Sequence, residues 1–155
     1  MRKARELQDG ASYHVIIRVN RGEMIFSPDQ YKALFILVVR KGKKIYKFIL
    51  ENFCIMGNHI HFMIKPAKGA NLSKIMQWIL STFAMRYNRM TNQKGHIFYD
   101  RFKSKIINDY RQYWATHKYI AYNPVKARIV ESPVDYEYNG ITFMQKGIID
   151  LFVYT

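Results

Sequence analysis

Cysteine is nearly absent from this 155-residue chain, with Cys54 standing alone, so neither an internal disulfide nor a cysteine-based zinc cage can form. Acidic residues are scarce, 11 Asp and Glu against 25 Lys and Arg. Long apolar runs are missing as well. The longest, Leu34 to Val39 and Gly147 to Tyr154, fall far short of the roughly 20 residues of a membrane span. The charged opening Met1-Arg2-Lys3-Ala4-Arg5-Glu6 leads into no signal-peptide core. Linkers rich in Gly, Pro or Ser, low-complexity tracts and internal repeats are also lacking, so one domain over residues 1–155 is expected. These absences exclude a disulfide scaffold and a membrane-spanning helix, and they point to a soluble protein of the reducing cytoplasm.

What is present is a large apolar fraction, 49%, enough to bury a core. A formal charge of +14 repels itself and suits a polyanionic partner, nucleic acid before an anionic membrane. Tyr13 to Val19 is β-branched and aromatic and reads as a strand. Ser27-Pro28-Asp29-Gln30 announces a helix with Ser27 as cap, apolar at Tyr31, Leu34, Phe35 and Val38 and ending near Gly42. Tyr46 to Ile55 and His59 to Lys65 form a hairpin around Met56-Gly57-Asn58. Leu72, Ile75, Met76, Ile79, Leu80, Phe83 and Tyr87 recur at helical spacing. A strand over Ile97 to Ile107 and a helix over Asp109 to Tyr122 complete the order β-α-β-β-α-β-α. That order predicts a ferredoxin-like α+β sandwich, an antiparallel sheet with helices packed on one face and an added C-terminal helix.

On a strand the side-chain period is two, so His59 and His61 share one face and Ile60, Phe62 and Ile64 the other. Burying the apolar trio leaves two imidazoles on the exposed face, either as metal ligands lacking a third partner or as solvated polar residues. In the helix Asp109 to Tyr122, Tyr110, Tyr113, Trp114, His117, Ile120 and Ala121 gather on one side, at about 100° per residue. Tyr119 falls opposite that stripe, with Asn123 about 40° from it. If that face meets the histidine strand, His59, His61 and the Asn123 oxygen suit a divalent ion such as Mg2+ or Mn2+. The plainer alternative is that Tyr119 is one of twelve tyrosines and Asn123-Pro124 a helix stop.

On these motifs the chain resembles a family. His59-Ile60-His61 after Cys54-Ile55-Met56-Gly57-Asn58 is similar to the HUH strand (His, hydrophobic, His) of single-tyrosine transposases of small insertion sequences, and closest to the REP-associated tyrosine transposases. Tyr13-His14-Val15 with Arg18 and Asn20, then Ile25-Phe26, resembles the family's opening strand. Gly95-His96-Ile97-Phe98 with Arg101-Phe102-Lys103-Ser104 resembles its next block, and Tyr119-Ile120-Ala121-Tyr122-Asn123-Pro124-Val125-Lys126-Ala127 its tyrosine helix. The resemblance covers about residues 10–132. It departs at Tyr99-Asp100, and residues 133–155 follow no recognised pattern.

The resemblance implies that His59, His61 and Asn123 bind the metal and that Tyr119 is the nucleophile. The implied reaction cleaves and rejoins single-stranded DNA through a 5′-phosphotyrosine, on a substrate carrying a hairpin. It also implies a bacterial cytoplasmic protein, on the nucleoid when bound to DNA, working as a monomer or a homodimer. Tyr122 is the rival nucleophile, but it lacks an amide partner four residues on. Alternation along Ile97 to Ile107 lays Arg101, Lys103 and Lys105 in a row for a phosphate backbone, with Arg2, Lys3 and Arg5 as an N-terminal arm. Lys41, Lys43 and Lys44 form either a second patch or a solvated helix end. Two other readings stay open: a non-catalytic nucleic-acid binder and a metal-dependent hydrolase without a covalent intermediate.

Overall fold

In the computed structural model, which describes residues 4–154, the apolar alternation of the sequence becomes a four-stranded antiparallel sheet. β1 (Ser12–Arg18) lies between β3 (His59–Pro66) and β4 (Lys103–Ile107), and β2 (Phe48–Ile55) forms the far edge beside β3, giving the order β2-β3-β1-β4. Tyr13, Val15 and Ile17 of β1 and Ile60, Phe62 and Ile64 of β3 point to one face, where all six are buried. Two helices cover that face, α1 (Asp29–Ile45) and α2 (Leu72–Thr91). Phe26, Phe35, Phe62 and Phe83 interlock between them, with Phe26 and Phe83 centroids 5.0 Å apart. Burying each such side chain contributes about 1.5–3 kcal/mol, so this layer is the principal core. The fold is α+β, as the element order predicts.

The other face is covered too. α3 (Tyr110–Ala121) lies across β2 and β3 and seals a smaller apolar cluster of Cys54, Met56, Met63 and Ile120. The expected apolar stripe of α3 is only partly buried: Ile120 and Ala121 are inside, whereas Tyr110 is 86% and Trp114 61% exposed. The helical period locates a stripe but not how much of it reaches the sheet. A short helix, α4 (Asn123–Lys126), continues from α3, and α5 (Gly140–Gln145) packs against β2.

Element boundaries differ from the sequence reading, most at the last strand and at the first helix. The strand expected over Ile97 to Ile107 begins at Lys103; upstream, Phe98 makes an isolated bridge to Val19, and Asp100 turns the chain at φ 52°. Arg101 therefore lies outside β4, and the alternation does not extend to it. Pro28, not Ser27, flanks the start of α1, with no side-chain cap, and the helix runs past Gly42 to Ile45.

Candidate active site

Sheet register builds the site before any helix is added. On the α3 side, Met63, His14 and Lys105 form one row across β3, β1 and β4. Cys54, His61, Ile16 and Lys103 form the next row across all four strands, and His59 pairs with Arg18 in the row beyond. Two histidines from a hairpin strand and a third from β1 thus share a face with two lysines and an arginine. His14 is the residue that sequence reasoning missed as part of the site. Its signal was available only jointly, in the alternation of β1 and the pairing of β1 with β3.

α3 then brings the phenol. The Tyr119 ring stands edge-on to His61 at 5.6 Å between centroids and to His14 at 5.9 Å. The histidine face that the sequence leaves open to solvent is thereby roofed, so His61 is only 3% exposed and His59 half-buried. Asn123, at the start of α4, places its amide between the two imidazoles: Oδ1 is 3.2 Å from His59 Nε2, and Nδ2 is 3.5 Å from His61 Nε2. His59, His61, Asn123 and Tyr119 are therefore brought together. Tyr122, 46% exposed, turns toward Lys118 instead.

Burial controls the protonation of this group. Desolvation holds His61 down to about 3, reinforced by His14, His59 and Arg18. His59 is lowered by desolvation, opposed by its bond to Asn123, and His14 by desolvation and Lys105. The imidazoles are neutral at physiological pH, the state that ligates metal.

The donor set suits a divalent ion. Among the described residues no three His, Cys, Asp or Glu gather as a metal-binding group; the side-chain oxygen that approaches His59 Nε2 is that of Asn123. His59 Nδ1 lies 2.8 Å from Asn58 Oδ1, and its Nε2 lies 3.2 Å from Asn123 Oδ1. A neutral imidazole has a single N–H for these two oxygens, so one of the two contacts sets acceptor against acceptor; with the proton on Nδ1 that contact is Nε2 to Asn123, a pairing that a cation between them relieves. Imidazole nitrogen with amide oxygen is compatible with Mg2+ or Mn2+.

Buried amides hold the tyrosine helix in place. Asn52, fully buried beside a β-bulge of β2, donates Nδ2 to the carbonyl of His117 at 3.0 Å. Asn139, also fully buried, donates Nδ2 to the carbonyl of Ala121 at 3.0 Å. Tyr136 adds a bond to the Ile55 carbonyl at 2.6 Å. The segment after residue 132, which follows no pattern in the sequence, is thus a clamp on the helix that carries Tyr119.

The expected DNA-contacting cations are distributed unevenly. Arg101, Lys103 and Lys105 line one open groove of about 660 Å³, together with Arg5. Arg5 does not extend as an arm: its guanidinium lies 3.6 Å over the Phe102 ring and donates to the Phe102 carbonyl at 2.6 Å and Ser73 Oγ at 3.4 Å. Arg2 and Lys3 lie outside the described residues. Lys43 is spent on the carbonyls of Asp150 and Val153. No helix among the described residues is long and apolar enough to cross a membrane.

Solved structures share this α+β architecture. A REP-associated tyrosine transposase, solved bound to a REP hairpin, superposes with a TM-score of 0.79 at 21% identity, covering 99% of this chain and 90% of that one. A Deinococcus radiodurans R1 protein assigned as a transposase matches at TM-score 0.54 and 11% identity, over 76% of this chain and 95% of that one. No curated protein matches the sequence. Residues 8–123 match the family described as IS200-like transposase. The chain belongs to that family and is a transposase, a protein that acts on DNA.

Proposed function

We propose that this transposase cleaves and rejoins single-stranded DNA through a 5′-phosphotyrosine on Tyr119, with His59, His61 and Asn123 holding Mg2+ or Mn2+. The observation that carries this reading is the meeting of Tyr119 with His61, 5.6 Å between centroids, beside an amide that spans His59 and His61. The ion, when bound, supplies charge that polarises the scissile phosphate and offsets the negative charge developing on its oxygens.

The chain's own residues do the rest. Tyr119, 47% exposed, is accessible to a phosphate in solution. A bond forms from Tyr119 Oη to phosphorus while the bond from phosphorus to the 3′ oxygen breaks. The phenolic proton passes to solvent, and the departing 3′ oxygen takes one up. Lys126 Nζ, 6.0 Å from the Tyr119 ring, keeps a positive charge beside the phenol as it loses that proton. One ester replaces another, so attack by a second 3′-hydroxyl reverses the step without ATP. Lys103 and Lys105, on the sheet face of the histidines, and Arg101 beside them supply cations for the DNA backbone. The hairpin carried by the structural neighbour supports a hairpin-bearing substrate here. Tyr119 packs against the histidines of its own chain, its ring centroid 5.6 Å from that of His61, which supports cleavage with the tyrosine in cis.

The test is a denaturing gel of the protein with labelled hairpin-bearing single-stranded DNA and Mn2+. A covalent adduct is expected with wild type and Tyr122→Phe and not with Tyr119→Phe, and EDTA should abolish it. An adduct that survives Tyr119→Phe, or none across varied hairpins, would overturn the mechanism; binding without an adduct would leave a non-catalytic DNA binder.

A further inference from the structure

Two side chains outside the proposed ligand set contact the ring nitrogens that face away from Asn123. His61 Nδ1 lies 3.0 Å from His14 Nε2, and His59 Nδ1 lies 2.8 Å from Asn58 Oδ1. Neither Asn58 nor His14 touches the Asn123 amide in the bonds that define the site.

We propose that Asn58 and His14 are positioning residues that fix both site imidazoles as the Nδ1-protonated tautomer, turning both Nε2 lone pairs toward the Asn123 amide. The inference rests on the metal reading above and adds to it the groups that prepare the ligands.

In this assignment each ring proton has a defined acceptor. The Asn58 amide is oriented by its own donation, Nδ2 to the Gly22 carbonyl at 3.4 Å, which leaves Oδ1 to accept from His59 Nδ1–H. At the second imidazole, Asn123 Nδ2 is a donor, so His61 Nε2 must accept, and the proton of a neutral His61 must sit on Nδ1. His14 Nε2 then receives it. The stacked arrangement of His14 and His61, 5.3 Å apart with planes 28° from parallel, holds this contact. A metal-ligating imidazole ordinarily has its second nitrogen fixed by such a partner, and loss of that partner weakens metal affinity about 10- to 100-fold. Both partners are set by backbone register: His14 sits diagonally from His61 across β1 and β3, and Asn58 is the last residue of the turn before His59.

The experiment uses the whole chain and two readouts. Long-range proton–nitrogen NMR of the metal-free protein should report His59 and His61 as Nδ1-protonated. In His14→Ala the His61 signal should become a tautomer mixture, and in Asn58→Leu the His59 signal should do so. Manganese uptake, followed by electron paramagnetic resonance, should weaken about 10- to 100-fold in each variant. His14→Gln and Asn58→Asp, which keep an acceptor oxygen, should recover most of it, a rescue that a purely structural role would not show. An Nε2-protonated His61 or His59 in the wild type would overturn the proposal without any variant having to fold. So would affinity unchanged within threefold in both His14→Ala and Asn58→Leu. The stated tautomers without manganese uptake by the wild type would support the assignment and overturn the metal reading instead.

Discussion

His61 is 3% exposed although its strand neighbour His59 is half-buried, because α3 and Tyr119 lie over it. The same roof buries Cys54, the direct partner of His61 on the neighbouring strand β2. Desolvation pushes its thiol up from 9.0 to about 12, a rise that Lys32 only partly offsets. Because the thiolate is the nucleophile, iodoacetamide at pH 8 should leave native Cys54 unlabelled and label it readily in guanidinium. Equal labelling rates would show that the second face is open. The sign for stability follows: a group whose folded value is raised stabilises fully below its unfolded value. The Cys54 contribution should therefore fade as pH rises from about 9 toward 12, and Cys54→Ala should flatten that part of the profile. Of the site residues, His59, His61, Tyr119 and Asn123 could be proposed from spacing and resemblance, since each lies in a short local motif. His14 could not, because its role exists only through a contact 47 residues away in sequence.

At the scale of elements, the tyrosine helix depends on contacts that its own sequence does not encode. Two of its carbonyls are held by Asn52 and Asn139, and α5 fits against β2 only because residue 140 is glycine. A Cβ there would meet Asn52 Oδ1 at 2.2 Å and the Phe53 backbone nitrogen at 3.0 Å. Gly140→Ala should therefore cost about 1–3 kcal/mol, the usual range for overpacking, and lower the melting temperature. By displacing Asn52 from the His117 carbonyl, it should also slow adduct formation more than the loss of folded protein accounts for. A variant with wild-type melting and wild-type adduct rate would show that the clamp is not needed. The helices α1 and α2 were legible from their apolar spacing. The shortening of β4 was not, because the turn at Asp100 and the pairing with β1 decide where that strand begins.

Over the whole molecule, the charge of +14 resolves into cations with different tasks. Arg40 pairs with Asp150 at 2.7 Å, Lys43 ties down the tail and Arg5 stacks on Phe102, whereas Arg101, Lys103 and Lys105 line the groove beside the histidine face. Under the proposed function, the last group meets the DNA backbone and releases its counterions. Replacing all three by Ala should reduce the slope of log affinity against log salt for single-stranded DNA by about 2. Lys44→Ala, at the exposed end of α1, should leave it unchanged. Fluorescence anisotropy across a salt series measures both; an unchanged slope in the triple variant would place the DNA elsewhere.

The sequence by itself determined which residues are chemically able to act and which faces of each strand and helix they occupy, because those properties have periods of two and 3.6 residues. The scarcity of cysteine and of acidic residues likewise bounded the class of protein without any coordinates. Only the tertiary structure decided that α3 roofs the histidines, that His14 joins them, and that the C-terminal segment clamps the tyrosine helix. Those outcomes depend on pairing register and on buried amides meeting carbonyls far along the chain, and no local pattern of residues encodes such meetings.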